Sequence, residues 1–393
     1  MVLESPEKDW LALSLVTGVG TQTLQKLSET FGSLSKIWQK SSDQLLQLGL
    51  RKDVIERLPK AMDVRSFQME KRLIESSPNL RLLCPESQGF PANLLQIHSV
   101  PSVLYVKGEL PNAHNLCLGI VGSRSCTSYG REQTKRLVNE LAELVPDAFV
   151  ISGLARGIDT VAHEAALEAG LRTIAVLAGG LQHIYPPENE NLADRICQQG
   201  ALISEFPLAT KPVSHNFPIR NRVISGISQG VLVTEASVKS GALITATFGQ
   251  EQNREVFAVP GRIDSHPSSG CNQLISRNQA KLITSATDIL EDLLPTISNK
   301  AGIQLSFPDP SKQIQLPQSD LSDQQIMILN SLNEGAKDLD NLSLITEEGP
   351  QQLLPLLLEM ELQEWIKVLP GGHYEIHPSI QIVPSRDHFC CWC

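Results

Sequence analysis

GIVGSRSCTSYG (Gly119–Gly130) ends an apolar run in glycine, follows it with small polar residues and an arginine, and then opens a patterned helix. That is how a buried parallel strand hands over to a helix. Related pieces follow at SGLARGIDTVAH (Ser152–His163), FPIRNRVISG (Phe217–Gly226), TEASVKSGALITA (Thr234–Ala246) and EVFAVPGR (Glu255–Arg262). Gly, Ser and Arg gathered at strand ends are what a doubly wound sheet uses to hold phosphates. Residues 119–261 therefore read as one nucleotide- or phosphate-handling surface.

Working outward, strand-like runs occur at Leu116–Gly122, Phe149–Gly153, Thr173–Gly179, Ala201–Phe206, Val231–Ala236 and Glu255–Gly261. Helical patterns separate them. In REQTKRLVNELAEL, Leu137, Val138, Leu141 and Leu144 fall at spacings of three and four. Alternation of this kind predicts an α/β fold with a parallel sheet covered on both faces. Arg81–Leu83 and Val103–Lys107 add strand-like runs ahead of it, so the sheet is an extended Rossmann-like one. The expected organisation is a helical domain over 1–80, the extended Rossmann domain over 81–292 and a linker over 293–320. A winged-helix-like domain over 321–383 and a tail over 384–393 complete it.

The N-terminal domain carries Gly18-Val19-Gly20 between two helices, a helix-hairpin-helix (SAM-like) arrangement whose turn amides can approach a DNA phosphate. The alternative is that the glycines only end one helix and start the next. The linker is rich in proline, serine and glutamine. In the C-terminal domain, Ser322 and Gln325 form a capping pattern ahead of an apolar stripe, and short strands are expected around Gly371-Gly372. Helix, helix and β-wing is the winged-helix order. Its recognition-helix stretch is acidic and apolar, which favours protein docking over DNA binding. The tail ends Cys390-Cys391-Trp392-Cys393, too few ligands for a zinc site by itself.

The chain has 393 residues, 41% of them hydrophobic, and a net charge of −10, which argues against a general polyanion binder but leaves room for a local basic groove. Eight scattered cysteines show no disulfide framework and suggest a reducing, cytoplasmic setting. No leader pattern and no apolar run of about 20 residues is visible, so no membrane insertion is expected.

The first loop is neither a dinucleotide fingerprint nor a Walker A sequence. It offers Gly122, Ser123 and Arg124, from which a phosphate could receive backbone amides, a hydroxyl and a guanidinium fork. Alternatively, Arg124 pairs with a carboxylate such as Asp159. Arg156 sits on the turn after the second strand between Gly153 and Gly157, and Asp159 can cap the next helix. Arg220 and Arg222 follow Phe217, with Lys211 close by, a set that suits single-stranded nucleic acid: the ring stacks a base and the cations hold phosphates. The alternative is a core phenylalanine with salt-bridged arginines. Ser240 and Gly241 open a helix after a strand, again suited to an anion, and Glu235 is expected inside that pocket. No nucleophile–base set, metal-ligand spacing or cofactor motif emerges; His163 reads as a packing residue. The pattern suggests binding without turnover.

The run GSRSCTSYG, SGLARGIDTVAH, YPPENENL (Tyr185–Leu192), LISEFP (Leu202–Pro207), FPIRNRVISG, SGALITA and FAVPG closely resembles the DNA-processing DprA/Smf family, in the family's own motif order over about 115–290. The resemblance implies an extended Rossmann fold that binds single-stranded DNA. It further implies protection of incoming strands in natural transformation, loading of a RecA-type recombinase, and a homodimer without established catalysis. Carried over by position, it assigns DNA contacts to Arg124, Arg156, Lys211, Phe217, Arg220 and Arg222. After LIS the family usually has Gly-Ala, where this chain reads RNQAKL (Arg277–Leu282). The alternative reading is a nucleotide-hydrolysing enzyme of the lysine-decarboxylase-like fold, with Glu235 near the Ser-Gly loop. Such enzymes show PGGxGTxxE, whereas here the acid precedes the loop and the double glycine is missing.

Overall fold

The central strands over 117–121, 149–152, 201–204 and 230–233 are short because each is a brief apolar run, buried throughout and ending in or followed by a glycine or small polar residue. The computed structural model describes residues 3–301 except 78, residues 314–317, and residues 321–383 except 334, 347, 364, 370–372 and 377–379. The chain divides into two compact units, 1–303 and 304–393. The tail, the glycine pair 371–372 and the middle of the expected linker lie outside the described residues.

The first unit is built on a nine-stranded sheet. Its strands are β1 (Leu80–Leu83), β2 (Leu104–Gly108), β3 (Cys117–Val121), β4 (Phe149–Ser152), β5 (Arg172–Val176), β6 (Ala201–Ser204), β7 (Gly230–Val233), β8 (Glu255–Ala258) and β9 (Lys281–Leu282). Their spatial order is β1-β2-β6-β5-β4-β3-β7-β8-β9. From β6 to β9 every pairing is parallel; β2 joins β6 and β1 joins β2 antiparallel. The chain runs from β3 outward to β6 on one side and from β7 to β9 on the other, so the order reverses between β3 and β7. Doubly wound sheets bind ligands beyond the carboxyl ends of the strands at such a reversal.

Five helices precede the sheet: α1 (Glu7–Ser14), α2 (Thr21–Phe31), α3 (Ser42–Gln47), α4 (Lys52–Ile55) and α5 (Arg65–Ser76). The crossover and closing helices are α6 (Ser128–Leu144), α7 (Ile158–Glu168), α8 (Glu190–Gln199), α9 (Asn216–Ile227), α10 (Ala242–Glu251), α11 (Ser269–Ser276) and α12 (Ala286–Ala301). Side chains alternate across a strand, and the core follows that period. Leu118 and Ile120 pack with Leu137, Val138 and Leu141 of α6 on one face. Cys117 and Val121 pack with Val223, Ile224 and Ile227 of α9 on the other. Leu144, expected on the buried stripe of α6, is instead 43% exposed.

The N-terminal helices share a core with the sheet edge: Trp10, Leu24 and Phe67 cluster with Leu82, Tyr105 and Leu208. Glu86 fastens the junction by accepting hydrogen bonds from Trp10 Nε1, Ser28 Oγ, Ser33 Oγ and the Leu34 N–H. Gly18, at φ +93°, makes the turn between α1 and α2; a Cβ there would meet the Arg51 guanidinium at 2.5 Å. Helix α12 continues to Ala301, into the stretch expected to be linker.

The second unit holds β10 (Ile314–Pro317), α13 (Asp323–Asn333), β11 (Lys337–Asp338), α14 (Leu339–Thr346), α15 (Pro350–Leu362), β12 (Ile366–Leu369), β13 (His373–Ile376) and β14 (Ile380–Val383). The expected cap is present: Ser322 N–H donates to Gln325 Oε1, and Gln325 N–H to Ser322 Oγ. β12 and β13 pair antiparallel as the wing. Helix α15 turns Leu353, Leu357 and Met360 inward and leaves Leu354 and Leu358 about half exposed, with no lysine or arginine along it.

Candidate nucleic-acid interface

Beyond the ends of β3 and β7 lies an open cavity of about 560 Å³, lined by Gly122–Ser125, Tyr185, Phe217, Arg220, Ser240 and Gly241 among others. The loop after β3 forms one wall. Glu235 shapes it from below: its backbone carbonyl accepts the Ser123 N–H at 2.7 Å, and its two carboxylate oxygens accept the N–H and hydroxyl of Thr127 at 2.8 and 2.6 Å. Glycine is required where the second loop touches the first. At Gly157, φ is +79° and a Cβ would stand 2.2 Å from the Ser123 carbonyl oxygen. At Gly153 a Cβ would stand 2.1 Å from the Arg220 guanidinium.

The arginines divide into two sets. Arg220, 3% exposed, forms the floor. Its Nη1 donates to the carbonyls of Gly153 and Val176 at 2.5 Å. Burial lowers its guanidinium to about 10, and the neighbouring Asp159 charge works against that fall. Asp159 itself is buried and accepts the Gly153 and Ala155 N–H groups; burial raises its carboxyl, and Arg220 draws it back. Arg222 lies outside the lining and is spent on a buried pair with Glu205, with a second bond to the Ser99 carbonyl. Both Arg222 and Glu205 are 11% exposed. The expectation of Arg220 and Arg222 as solvent-facing phosphate ligands is therefore corrected. One turn of α9 aims them at carbonyls and a carboxylate beneath the surface.

The rim differs. Arg124 is exposed, and among the described residues its guanidinium has no ion pair; it lies 5.0 Å from the centre of the Phe217 ring. Phe217 meets Tyr185 edge-on, with centroids 5.9 Å apart and planes at 72°. Such aromatic and cation–π contacts are worth about 0.5–1.5 kcal/mol each. Arg156 is half-exposed above Tyr185 but paired with Glu188, Nε to Oε1 at 2.5 Å. Lys211 is exposed on the loop between β6 and α9 and does not line the cavity. Ser240 and Gly241 stand where expected, at the first turn of α10, with Ser240 Oγ accepting the Ala242 N–H.

Of the remaining residues near the groove, one took another place than the sequence suggested and one was overlooked. Glu235, expected inside the pocket, is 1% exposed under the loop, because Thr127 draws in both carboxylate oxygens. His163 is fully buried, hydrogen-bonded through Nδ1 to Thr173 Oγ1 at 2.7 Å, and lowered to about 3 by burial. The packing role read for it agrees with this position. Tyr185 was overlooked as a site residue; the signal was an aromatic on the long loop after β5, ahead of Pro186-Pro187. Cys126 is half-buried and raised by burial, the opposite of an activated thiol. Among the described residues no group of acids, histidines and cysteines could hold a metal ion, and no helix is long and apolar enough to cross a membrane.

A family model described as DNA recombination-mediator protein A matches residues 81–294, and one described as the DprA winged helix domain matches 313–372. Protein Smf of Escherichia coli (strain K12) is 38% identical over 332 residues, 81% of this chain and 85% of its own length. The DNA processing protein DprA of Streptococcus pneumoniae is 36% identical over 285 residues, 70% of this chain and 98% of its own. The X-ray structure of DNA processing protein A from Streptococcus pneumoniae superimposes with a TM-score of 0.65 at 30% identity, covering 74% of this chain and 99% of that one.

Proposed function

The chain belongs to the DNA recombination-mediator protein A family, whose members also bear the names DprA and Smf, and on that premise we propose that its groove binds single-stranded DNA without turning it over. The observation that carries this reading is Arg124, an exposed cation that makes no direct ion pair among the described residues and acts on the buried Asp159 only through its charge, poised over the half-buried Phe217 ring at the groove mouth. The ring offers a stacking face to an unpaired base, which stacks whatever its identity. Arg124, the Ser123 and Ser240 hydroxyls and the first turn of α10 then surround the adjoining phosphate. Lys211 extends the positive rim, and Arg156 joins it when its exposed pair with Glu188 opens. Duplex DNA keeps its bases stacked inside and cannot use the ring.

As the resemblance implies, the bound strand would be an incoming one, protected in natural transformation and handed to a RecA-type recombinase. We place the homodimer contact on the first unit, at Leu243, Ile244 and Phe248 of α10. Light scattering of the full chain at tens of micromolar tests it, and a monomer there would exclude it. The hydrolase alternative needs Glu235 free to activate water, yet both its oxygens already hold Thr127. Incubation with nucleotides and single-stranded DNA, with and without magnesium, is expected to give no product. Turnover abolished by Glu235→Gln would reinstate that alternative. The binding reading itself is tested by fluorescence anisotropy with matched single-stranded and duplex oligonucleotides. Preference for the single strand is expected, and equal affinity for the two would refute it.

A further inference from the structure

Across the Gly122–Thr127 loop from the main groove lies a second cavity, of about 460 Å³. Ser125 lines the first cavity and Thr127 the second, so a single loop separates them. Both sit on the carboxyl edge of the sheet, the first beyond β3 and β7 and the second beyond β7 and β8. Neighbouring strands are about 4.8 Å apart, so an extended polymer lying along this edge passes from one cavity to the other.

The second cavity is walled by held pieces. The turn after β8 is clamped by Asn272, which accepts the Gly261 N–H at 3.1 Å and donates to the Gly261 carbonyl at 3.0 Å. Tyr129 donates its hydroxyl to the Pro260 carbonyl at 2.7 Å, which fixes the ring on the opposite side while leaving it 39% exposed. At the tip of the same turn Ile263 is 100% exposed, an aliphatic group that nothing in the unit covers. Glu235, its carboxylate held by Thr127, also lines the cavity, and its charge disfavours a phosphate there. An uncharged group suits this lining better than a phosphate, and the part-exposed Tyr129 ring offers it a stacking surface. Arg262, also in the lining, is paired among the described residues only with Asp264 two residues on, and both are largely exposed. Water screens such a pair, so the guanidinium can turn to a phosphate at the mouth.

We propose that this cavity is a second nucleobase subsite for the same single strand, with Tyr129 as the stacking face, Arg262 on the adjoining phosphate and the exposed Ile263, next to Arg262 on the turn and outside the lining, as an apolar group for the strand beyond the cavity. The inference rests on the single-strand reading of the main groove and adds a prediction about strand length. A strand long enough to cross the Gly122–Thr127 loop gains a second stack; a dinucleotide seated on Phe217 does not.

The test uses the full chain with two oligothymidylate probes, a dinucleotide followed by NMR titration and a strand of about twelve nucleotides followed by anisotropy. Tyr129→Ala is expected to weaken the long strand about tenfold, within the range of one lost stack, and to leave the dinucleotide unchanged. Tyr129→Phe, which keeps the ring, should restore long-strand binding. Ile263→Ser alters a fully exposed side chain, so the fold is not at risk; a several-fold loss confined to the long strand supports the proposal. Wild-type affinity of Tyr129→Ala and Ile263→Ser for the long strand overturns it, as does an equal proportional loss for both probes. If the wild-type chain binds neither probe, the reading of the main groove fails, which is a different result from a groove that binds without length dependence.

Discussion

The floor and the rim of the groove both carry arginines, and their environments set them apart. Arg220 on the floor, and Arg222 buried outside the lining, are surrounded by carbonyls and a carboxylate, and their charge holds loops together. Arg124 on the rim is open to water beside an aromatic ring. A buried cation is hard to remove because it leaves unpaired partners behind, whereas an exposed one adds little to stability. Substitutions should therefore separate folding from binding along this line, although Arg220 and Arg222 share one short motif with Phe217.

The largest effect belongs to the floor. Arg220→Ala strips the donors from the Gly153 and Val176 carbonyls and leaves Asp159 buried without its neighbouring cation. A loss of about 3–5 kcal/mol in denaturant unfolding is expected. If Arg220→Ala keeps its stability and loses only DNA, the floor and rim are not distinct. Arg222→Ala should cost somewhat less, about 3 kcal/mol, because its pair with Glu205 keeps slight exposure. Replacing both partners, as Arg222→Met with Glu205→Leu, should recover much of that loss, since no lone buried charge remains. A double variant no better than the single one would mean that the Ser99 contact, not the ion pair, carries the cost.

Next in size is a pH effect. His163 is fully buried and lowered to about 3, so the folded state refuses a proton that the unfolded state takes up near 6.5. Its neutral form thus contributes fully above the unfolded value, and stability falls as the pH drops from about 6.5 towards 3. At pH 5 the loss is about 2 kcal/mol. Thermal unfolding from pH 7.5 to 5 should show this slope, and His163→Gln should flatten it. An unchanged slope in the variant would assign the acid sensitivity elsewhere.

The smallest effect is at Arg156, whose pair with Glu188 is half-exposed on both sides. Arg156→Ala should leave the melting temperature unchanged and weaken single-strand binding only slightly. A loss of affinity as large as that at Arg124 would raise Arg156 to a principal contact.

The sequence made the sheet and the ligand edge legible. Aliphatic runs such as FVIS and GVLV, each closed by a small or polar residue, mark strands, and the Gly-Ser-Arg pieces after them mark one edge. The direction of α9 side chains was not legible. FPIRNR reads as an aromatic with a cationic cluster, but helical geometry turns Arg220 under the loop and Arg222 onto Glu205, seventeen positions earlier. Likewise Glu235 sits near the right loop in sequence, while its two bonds to Thr127 depend on a residue 108 positions away. Partners brought together by the tertiary fold decide whether a charged side chain serves structure or ligand. The change from helices to strands near residue 80 was visible; the core that Trp10 and Phe67 share with Tyr105 across it, within one compact unit, was not.

The most direct test of the account is the salt dependence of single-strand binding by the wild-type chain and by Arg124→Ala, with the melting temperature measured alongside. The account predicts that affinity falls with salt for both, that Arg124→Ala lowers the slope of log K against log salt by about one, and that its melting temperature matches the wild type. An unchanged slope, or a melting temperature that drops as binding is lost, would contradict the assignment of DNA contact to the rim.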